Sequence, residues 1–221
     1  MSSSPPIIEL KDVSYQHADG SVTADKLNFS LFSGQKVAIS GKNGSGKSTL
    51  LAIIMGLRKI ISGEVLLFGH SCRTEADFSR FRTRIGLVFQ DPDDQLFCPT
   101  VIEDVCFGPL NQGLTRTEAI VTSREILKQL NASHLENKIT YQLSGGQKRI
   151  VALASVLAMK PEVLILDEPS NDLDLDNADR LISILKELSL PMILVSHDAD
   201  IRAHLVEKEY LLEDGVIRNK S

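Results

Sequence analysis

One nine-residue stretch, GKNGSGKST at positions 41–49, has the residue types and the spacing of a phosphate-binding loop. It fits the pattern Gly-x-x-x-x-Gly-Lys-[Ser/Thr], and it lies between a strand-like run at 37–40 and a helix-like run at 50–57. Glycines let backbone N–H groups converge on phosphate oxygens, and the N-terminus of the following helix adds partial positive charge. A Gly-rich turn without a ligand is the alternative, but the flanking strand and helix favour phosphate binding. The predicted binding residues are Gly41, Asn43, Gly44, Gly46, Lys47, Ser48 and Thr49.

Two adjacent carboxylates follow a fully apolar run, Val163 to Leu166. Such a run is typical of a strand buried in a parallel sheet. Asp167 and Glu168 are costly at its tip unless they bind something. In a phosphate-binding site, the Ser48 hydroxyl and one carboxylate can bind Mg²⁺, while the other carboxylate polarises water and Lys47 reaches the β- and γ-phosphates. The alternative is a solvated loop after the strand.

Two further polar residues stand just after strand-like runs. Gln90 follows Ile85 to Phe89, and His197 comes after Met192 to Val195. Ligand-contacting residues of α/β sheets lie at the C-terminal ends of the strands. Taken alone, each residue is more simply a polar or structural residue at the end of a strand. In a phosphate-binding sheet, His197 becomes a candidate contact for a γ-phosphate.

The segment LSGGQ at 143–147 precedes a run with an apolar stripe at helical spacing. Ser144 and Gln147 have the spacing of a capping box, so a well-capped helix start is the simplest interpretation. Gly145 and Gly146, however, each cost about 1 kcal/mol relative to alanine within a helix. This cost is easier to explain if backbone amides approach a ligand there. We therefore predict a second anion site at this helix start.

Composition limits the classes of protein to which the chain can belong. The 221 residues are 43% hydrophobic, enough for one domain with subdomains. The net charge of −5 does not favour nucleic-acid binding. Three cysteines without C-x-x-C spacing (Cys72, Cys98 and Cys106) indicate reduced thiols and a cytosolic compartment. The Ser/Pro-rich residues 1–6 predict a disordered lead, and the apolar run at 50–57 is too short to span a bilayer.

The remaining sequence patterns predict the elements that position these residues. Strands are expected at 7–15, 27–31, 37–40, 64–68, 85–89, 163–166 and 192–195, with a terminal hairpin through Asp214-Gly215. Helices predominate from 99 to 159, with capping signals at Thr100, Thr115 and Ser133. A further helix is expected at about 177–188.

Two residue groups have open alternatives. Tyr15, at the end of the first strand, is either an edge aromatic residue or a ring on which adenine stacks. The acidic loop from Asp91 ends in two apolar residues that look exposed, Leu96 and Phe97. This loop is either solvated or a docking surface, in which case a charge at Leu96 should uncouple a partner.

The ordered set of these motifs resembles an ATP-binding-cassette (ABC) nucleotide-binding subunit over residues 7–218. The phosphate loop at 41–49 matches Walker A, Gln90 the Q-loop glutamine and LSGGQ at 143–147 the signature. Residues 163–168 match Walker B with its following glutamate, and 170–174 match the D-loop. Tyr15 stands at the aromatic-loop position, and His197 at that of the switch histidine.

The resemblance implies an ATPase with ATP and Mg²⁺ as its cofactors. Its fold would be that of a P-loop NTPase of the α/β class, with a RecA-like mixed core sheet (7–90 and 160–221), an antiparallel β subdomain and an inserted α-helical subdomain (about 91–159). Glu168 would be the general base, and His197 would position the γ-phosphate. Gln90 and Asp167 would complete the metal environment with Ser48.

The resemblance also implies that one ATP is held by two subunits. Ser144, Gly145, Gly146 and Gln147 would contact ATP bound by a second subunit, in a head-to-tail homodimer. Integral membrane subunits would be further partners, so the protein would be peripheral on the cytoplasmic face of the membrane. One departure concerns the D-loop, where Asp172 replaces a small residue and Leu175 stands where proline is frequent.

A narrower resemblance concerns the segments FQDPDDQLF at 89–97, TVIEDVCFGPL at 100–110 and QKR at 147–149. These are similar to the ATPases of energy-coupling-factor transporters. The chain stops at Ser221, just after the predicted hairpin, which leans toward the cobalt- and nickel-type systems rather than the vitamin systems. The competing interpretations are a soluble ABC ATPase of DNA repair or chromosome maintenance and a non-hydrolysing interaction module.

Overall fold

A computed structural model describes residues 5–16, 22–171 and 173–220. The predictions for residues 1–4 and for Asp172 fall outside this part of the chain. The strands are β1 (Ile8–Gln16), β2 (Val22–Leu31), β3 (Lys36–Ser40), β4 (Ser62–Leu67), β5 (His70–Cys72), β6 (Ile85–Val88), β7 (Val163–Asp167), β8 (Met192–Val195), β9 (Lys208–Glu213) and β10 (Val216–Lys220). The helices are α1 (Lys47–Ile54), α2 (Glu75–Arg82), α3 (Val101–Asn111), α4 (Arg116–Gln129), α5 (Gly145–Leu157), α6 (Leu175–Glu187) and α7 (Ala199–Leu205).

The strands form two sheets. One is antiparallel, with strand order β2-β1-β4-β5. The other has the order β10-β9-β3-β8-β7-β6; all its pairs are parallel except the β9–β10 hairpin, in which Val216 pairs with Glu213. The predicted combination of a mixed core sheet and an antiparallel sheet is therefore confirmed.

The central strands are buried on both faces, as their uninterrupted apolar sequences predict. In β7, Leu164 and Leu166 pack in a hydrophobic cluster with α5 and α6, whereas Val163 and Ile165 pack in a second cluster with α1 and the antiparallel sheet. Successive residues of a strand point to opposite faces, so one apolar run serves both clusters. The carboxyl ends of these strands are thereby held rigidly at one edge of the sheet.

The helices between β6 and β7 begin where the capping signals indicated. At α4, Thr115 accepts a hydrogen bond from the N–H of Glu118, whose carboxylate accepts one from the N–H of Thr115 at 2.8 Å. Ser144 and Gln147 form the same reciprocal pair at α5. The prediction of a further helix start at Ser133 is wrong, because only a three-residue 3₁₀ turn, Ser133–Leu135, forms there.

The loop after β6 corrects one prediction about exposure. Leu96 is only 7% exposed and belongs to the cluster around α5, whereas Phe97 is 65% exposed. Gln95 holds the loop in this register, because its side-chain amide donates to the Ala152 carbonyl of α5 at 2.7 Å and its oxygen accepts from the Phe89 N–H at 3.1 Å. Leu96 is therefore a core residue and not part of a docking surface.

Candidate functional site

The phosphate loop presents backbone N–H groups at the start of α1. Gly46 is the N-cap residue of α1 with a φ of 96°, a left-handed conformation that disfavours residues with a Cβ atom. No side chain caps the helix at this end, so the N–H groups of its first turn are available to a ligand. Gly41 also has to be glycine, because a Cβ atom there would lie 2.4 Å from the Leu212 carbonyl oxygen. Lys47 folds back over the loop and donates to the carbonyls of Gly41 and Lys42 at 2.8 and 3.1 Å.

Asp167 lies beside the phosphate loop with one oxygen bonded and one without a partner. The Ser48 hydroxyl donates to Oδ2 of Asp167 at 3.0 Å. The other oxygen, Oδ1, is buried and accepts no hydrogen bond from the described residues. Burial raises the pKa of the Asp167 carboxyl, more than the Ser48 hydrogen bond and the charge of Lys47 lower it. A cation bound to Oδ1 would satisfy the orphaned oxygen and stabilise the charged form.

This donor set fits Mg²⁺. Within the ranges 5–16, 22–171 and 173–220, no cluster of three or more His, Cys, Asp or Glu side chains could hold a metal ion by itself. Mg²⁺ is usually bound through one or two protein oxygens, with water and substrate phosphates as the other ligands. Ser48 and Asp167 provide such a pair of protein oxygens.

Glu168 and His197 form a second pair at the ends of β7 and β8. The Glu168 side chain is almost completely buried, and its Oε2 atom lies 2.9 Å from Nδ1 of His197 and accepts from the His197 backbone N–H at 3.2 Å. Glu168 has a φ of 46°, which is uncommon for a residue with a side chain. Strained backbone of this kind persists where the surrounding structure holds it, and it is frequent at functional sites.

These residues meet in one cavity of about 370 Å³. The cavity thus brings the phosphate loop together with the residues at the ends of three parallel strands. Its lining is Asn43, Gly44, Gly46, Lys47, Ser48, Thr49, Gln90, Asp167, Glu168, Asn171 and His197.

Two residues of this region were not predicted as site residues from the sequence. Asn171 lines the cavity, although it was considered only as part of the D-loop. Arg149 is buried in α5 and donates to the carbonyls of Gln90 at 3.0 Å, Asn171 at 2.5 Å and Glu168 at 3.4 Å. An arginine near the start of a helix is usually exposed to solvent, so the sequence alone does not show that Arg149 is buried and binds these carbonyls.

The signature residues do not complete the same cavity. Ser144, Gly146 and Gln147 are absent from its lining, whereas Gly145 lines an adjoining cavity of about 550 Å³ that also contains Gln90, Asp167 and Asn171. Ser144 caps α5 by accepting from the Gln147 N–H at 3.3 Å. The first-turn N–H groups of Gly145 and Gly146 have no partner within an α-helix. These amides therefore remain available to a ligand.

Tyr15 is not placed to contact a nucleotide base. Its side chain is 0% exposed and lies in the cluster between the two sheets. A base cannot stack on a ring whose faces are both covered. The adenine-stacking prediction is therefore wrong, and Tyr15 is a core residue.

Comparisons with known proteins agree with this arrangement. A model of the ABC transporter family matches residues 24–171. A putative ABC transporter ATP-binding protein of Brucella suis is 49% identical over 95% of this chain and 87% of its own length. The energy-coupling factor transporter ATP-binding protein EcfA of Methanothermobacter thermautotrophicus is 43% identical over 95% of this chain and 68% of its own length.

Two solved structures extend the likeness to three dimensions. The structure of cbiO1 from Clostridium perfringens, described as part of the ABC transporter complex cbiONQ, has a TM-score of 0.88 and 35% identity, and the match covers 97% of this chain and 88% of that one. A dimeric ATP-binding cassette with ADP and Pi bound has a TM-score of 0.86 and 28% identity, covering 97% and 98%. None of the helices in the described part of the chain has the length and apolarity needed to span a bilayer. The chain belongs to the ABC transporter family, as one of its ATP-binding domains, which are ATPases that drive transport.

Proposed function

We propose that this chain is the ATPase subunit of an energy-coupling-factor transporter and that its hydrolysis of ATP drives uptake of cobalt or nickel ions. The observation that carries the ATPase assignment is the single cavity in which the phosphate loop, Asp167 and the Glu168–His197 pair meet. The likeness to EcfA and to the cbiO1 subunit of a cbiONQ complex supports the transporter class. Uptake of a vitamin is the alternative within this class.

Each cavity residue has a role that its position supports. The first-turn amides of α1 and the ammonium group of Lys47 would bind the β- and γ-phosphates. Mg²⁺ would be held by Ser48 and Asp167 together with Gln90, and when bound it would neutralise charge on the phosphates. Glu168 would accept a proton from the water that attacks the γ-phosphate. His197 holds the Glu168 carboxylate at 2.9 Å and would also position the γ-phosphate.

A second copy would complete the site. The free amides of Gly145 and Gly146 lie outside the cavity that contains the phosphate loop of the same chain. In a head-to-tail dimer, Ser144, Gly145, Gly146 and Gln147 of one copy would bind the γ-phosphate held by the other. ATP would then favour the closed dimer, and hydrolysis would remove that preference. The dimeric form of a structurally similar cassette supports this arrangement.

A membrane subunit would dock on the exposed aromatic residues that follow the Gln90 loop. Phe97 and Phe107 are both exposed, and their rings meet edge to face with centroids 4.7 Å apart. Phe107 also lines an apolar cavity of about 440 Å³, together with Ile102, Leu110 and Ile120. Clustered exposed apolar residues are typical of protein–protein contacts. We propose that the membrane partner inserts an apolar side chain into this cavity.

The same proposal implies a location and a division of the chain. Docking on a membrane subunit would place the protein at the cytoplasmic face of the membrane. We propose that residues 7–90 and 160–221 form the nucleotide-binding core and that residues 91–159 form the helical subdomain. In this division, the core would carry the catalytic residues, and the helical subdomain the signature and the docking surface.

The test combines turnover with transport. Glu168→Gln should abolish measurable phosphate release, because a general base contributes about 10²- to 10⁴-fold to the rate. The variant should still form a dimer that ATP stabilises. Glu125→Gln, at an exposed position of α4, makes the same chemical change away from the site and should release phosphate normally. Affinity purification from membranes should recover integral membrane subunits, and vesicles containing that complex should take up Ni²⁺ or Co²⁺. Unchanged phosphate release by Glu168→Gln would refute the general-base role. Failure of the vesicles to take up either Ni²⁺ or Co²⁺ would refute the proposed substrate.

A further inference from the structure

The two signature glycines have different surroundings within one chain. A Cβ atom on Gly145 would meet nothing within 4 Å. A Cβ atom on Gly146 would lie 2.7 Å from Cγ, 2.8 Å from Oδ1 and 2.9 Å from Nδ2 of Asn177. Non-bonded carbon atoms pack best at about 3.5–4.0 Å, so an alanine at 146 has no room while Asn177 stays in place. The Asn177 carboxamide therefore occupies the space that a side chain at position 146 would need.

Asn177 is itself held rigidly in the first turn of α6. The Asp174 carboxylate caps this helix by accepting from the Asn177 backbone N–H at 2.9 Å, and it also accepts from the side-chain Nδ2 at 3.0 Å. Both oxygens of Asp174 thus fix one residue. The carboxamide cannot turn away from Gly146 without losing a hydrogen bond.

One turn further along α5, Arg149 contacts the segment that connects β7 to α6, residues 168–174. Its guanidinium group donates to the carbonyls of Glu168 and Asn171. The first turns of α5 therefore contact this connecting segment near β7, through Arg149, and contact the start of α6, through Gly146. Because Glu168 begins this segment, a displacement of the signature turn would also displace the backbone of the proposed general base.

We propose that Asn177 is a positioning residue, whose carboxamide packs on Gly146 and sets the direction in which the first-turn amides of α5 face the nucleotide of a second copy. The inference rests on the proposed ATP-bridged dimer. Under this proposal, position 146 must be glycine because of a contact with Asn177 of the same chain. Gly145, by contrast, keeps an open face that the partner's nucleotide would fill.

A size exchange tests the contact directly. In the Glu168→Gln background, Gly146→Ala should abolish ATP-driven dimerisation. In the wild-type background, the same substitution should lower turnover by about 100-fold, the loss expected when the first-turn amides are misplaced by about 1 Å. Asn177→Ala should lower turnover about tenfold at unchanged binding of a fluorescent ATP analogue to the monomer. The double variant should recover to about the level of Asn177→Ala, because removing the carboxamide makes room for the new methyl group.

Two controls keep the result specific. Gly145→Ala should not be rescued by Asn177→Ala, since no contact joins these residues. Asp176→Ala removes an exposed neighbour from the same helix turn and should behave as the unmodified chain. Thermal unfolding of every variant separates misfolding from misplacement, since a positioning defect leaves the unfolding temperature within a few degrees of the unmodified chain.

The outcomes distinguish this inference from the function on which it rests. If the unmodified chain neither hydrolyses ATP nor dimerises with it, the proposed function fails. If it does both, but the double variant stays as inactive as Gly146→Ala, or if Gly146→Ala is fully active, the role of Asn177 is refuted. Should the double variant not fold, normal turnover and dimerisation of Asn177→Ala alone would refute it equally.

Discussion

Leu96 and Phe97 are adjacent, and the structure predicts opposite consequences for their truncation. Leu96 is buried against α5, so Leu96→Ala removes core contacts and leaves a cavity. Such changes cost about 2–5 kcal/mol of the free energy of unfolding. Phe97 is exposed, and its ring contacts Phe107 edge to face. Phe97→Ala should therefore cost only about 0.5–1.5 kcal/mol, the usual value of such an aromatic pair.

The effects on assembly should be reversed. An aromatic residue at the centre of an interface contributes about 2 kcal/mol or more, so Phe97→Ala should weaken binding of the membrane subunit by about 30-fold. Backbone N–H groups of Phe97 and Cys98 are both held by the buried Asp104 carboxylate, at 3.0 and 2.9 Å. The Phe97 ring is therefore presented on a fixed backbone, which limits the entropy lost on docking.

Two assays separate the residues. Urea unfolding of the isolated subunit measures stability, and co-purification from membranes measures docking. Val121→Ala, which truncates an exposed apolar side chain on α4, serves as the control and should change neither quantity. A strongly destabilised Phe97→Ala variant, or a stable one that still co-purifies fully and supports uptake, would refute the assignment of the docking surface.

Further predictions concern the carboxylates of Glu168 and Asp167 and the thiol of Cys98. Glu168→Gln should trap an ATP-bound dimer while losing phosphate release, and a monomer at saturating ATP would contradict the shared site. Burial raises the pKa of Asp167 above 3.8, so ionisation costs stability as pH rises through the folded-state value. Asp167→Asn should therefore raise the unfolding temperature of the nucleotide-free protein at pH 7, with a gain that shrinks as pH falls toward 3.8; a lower unfolding temperature at pH 7 would contradict the shift. Burial, with Asp104 nearby, raises the pKa of Cys98 from 9.0 to about 11. At pH 8 its thiolate fraction is then about 100-fold below that of an ordinary thiol. The thiolate of a thiol with a higher pKa is more nucleophilic, which recovers about tenfold of this loss in rate. Alkylation by iodoacetamide should therefore be about tenfold slower than for an ordinary thiol. Peptide mass spectrometry measures this rate, and reaction at the rate of an ordinary thiol would contradict the pKa.

Local patterns in the amino-acid sequence determined much of this protein by themselves. The phosphate loop, the apolar run that ends in Asp167 and Glu168, and the capping boxes at Thr115 and Ser144 all depend on residues close together in the chain. Backbone stereochemistry and strand periodicity act over this same short range. The corresponding turns, strand ends and helix starts therefore formed where the sequence indicated.

Contacts between distant segments were decided only by the tertiary structure. Alternation places Tyr15 on one face of β1, but the second layer above that face is what buries its ring. Gln95 reaches α5 and thereby turns Leu96 inward and Phe97 outward. Arg149 contacts the D-loop segment, and Asn177 contacts the signature segment, because the fold brings the first turns of α5 and α6 close together. Such pairings arise from the way apolar faces close over one another, and this depends on the whole chain at once.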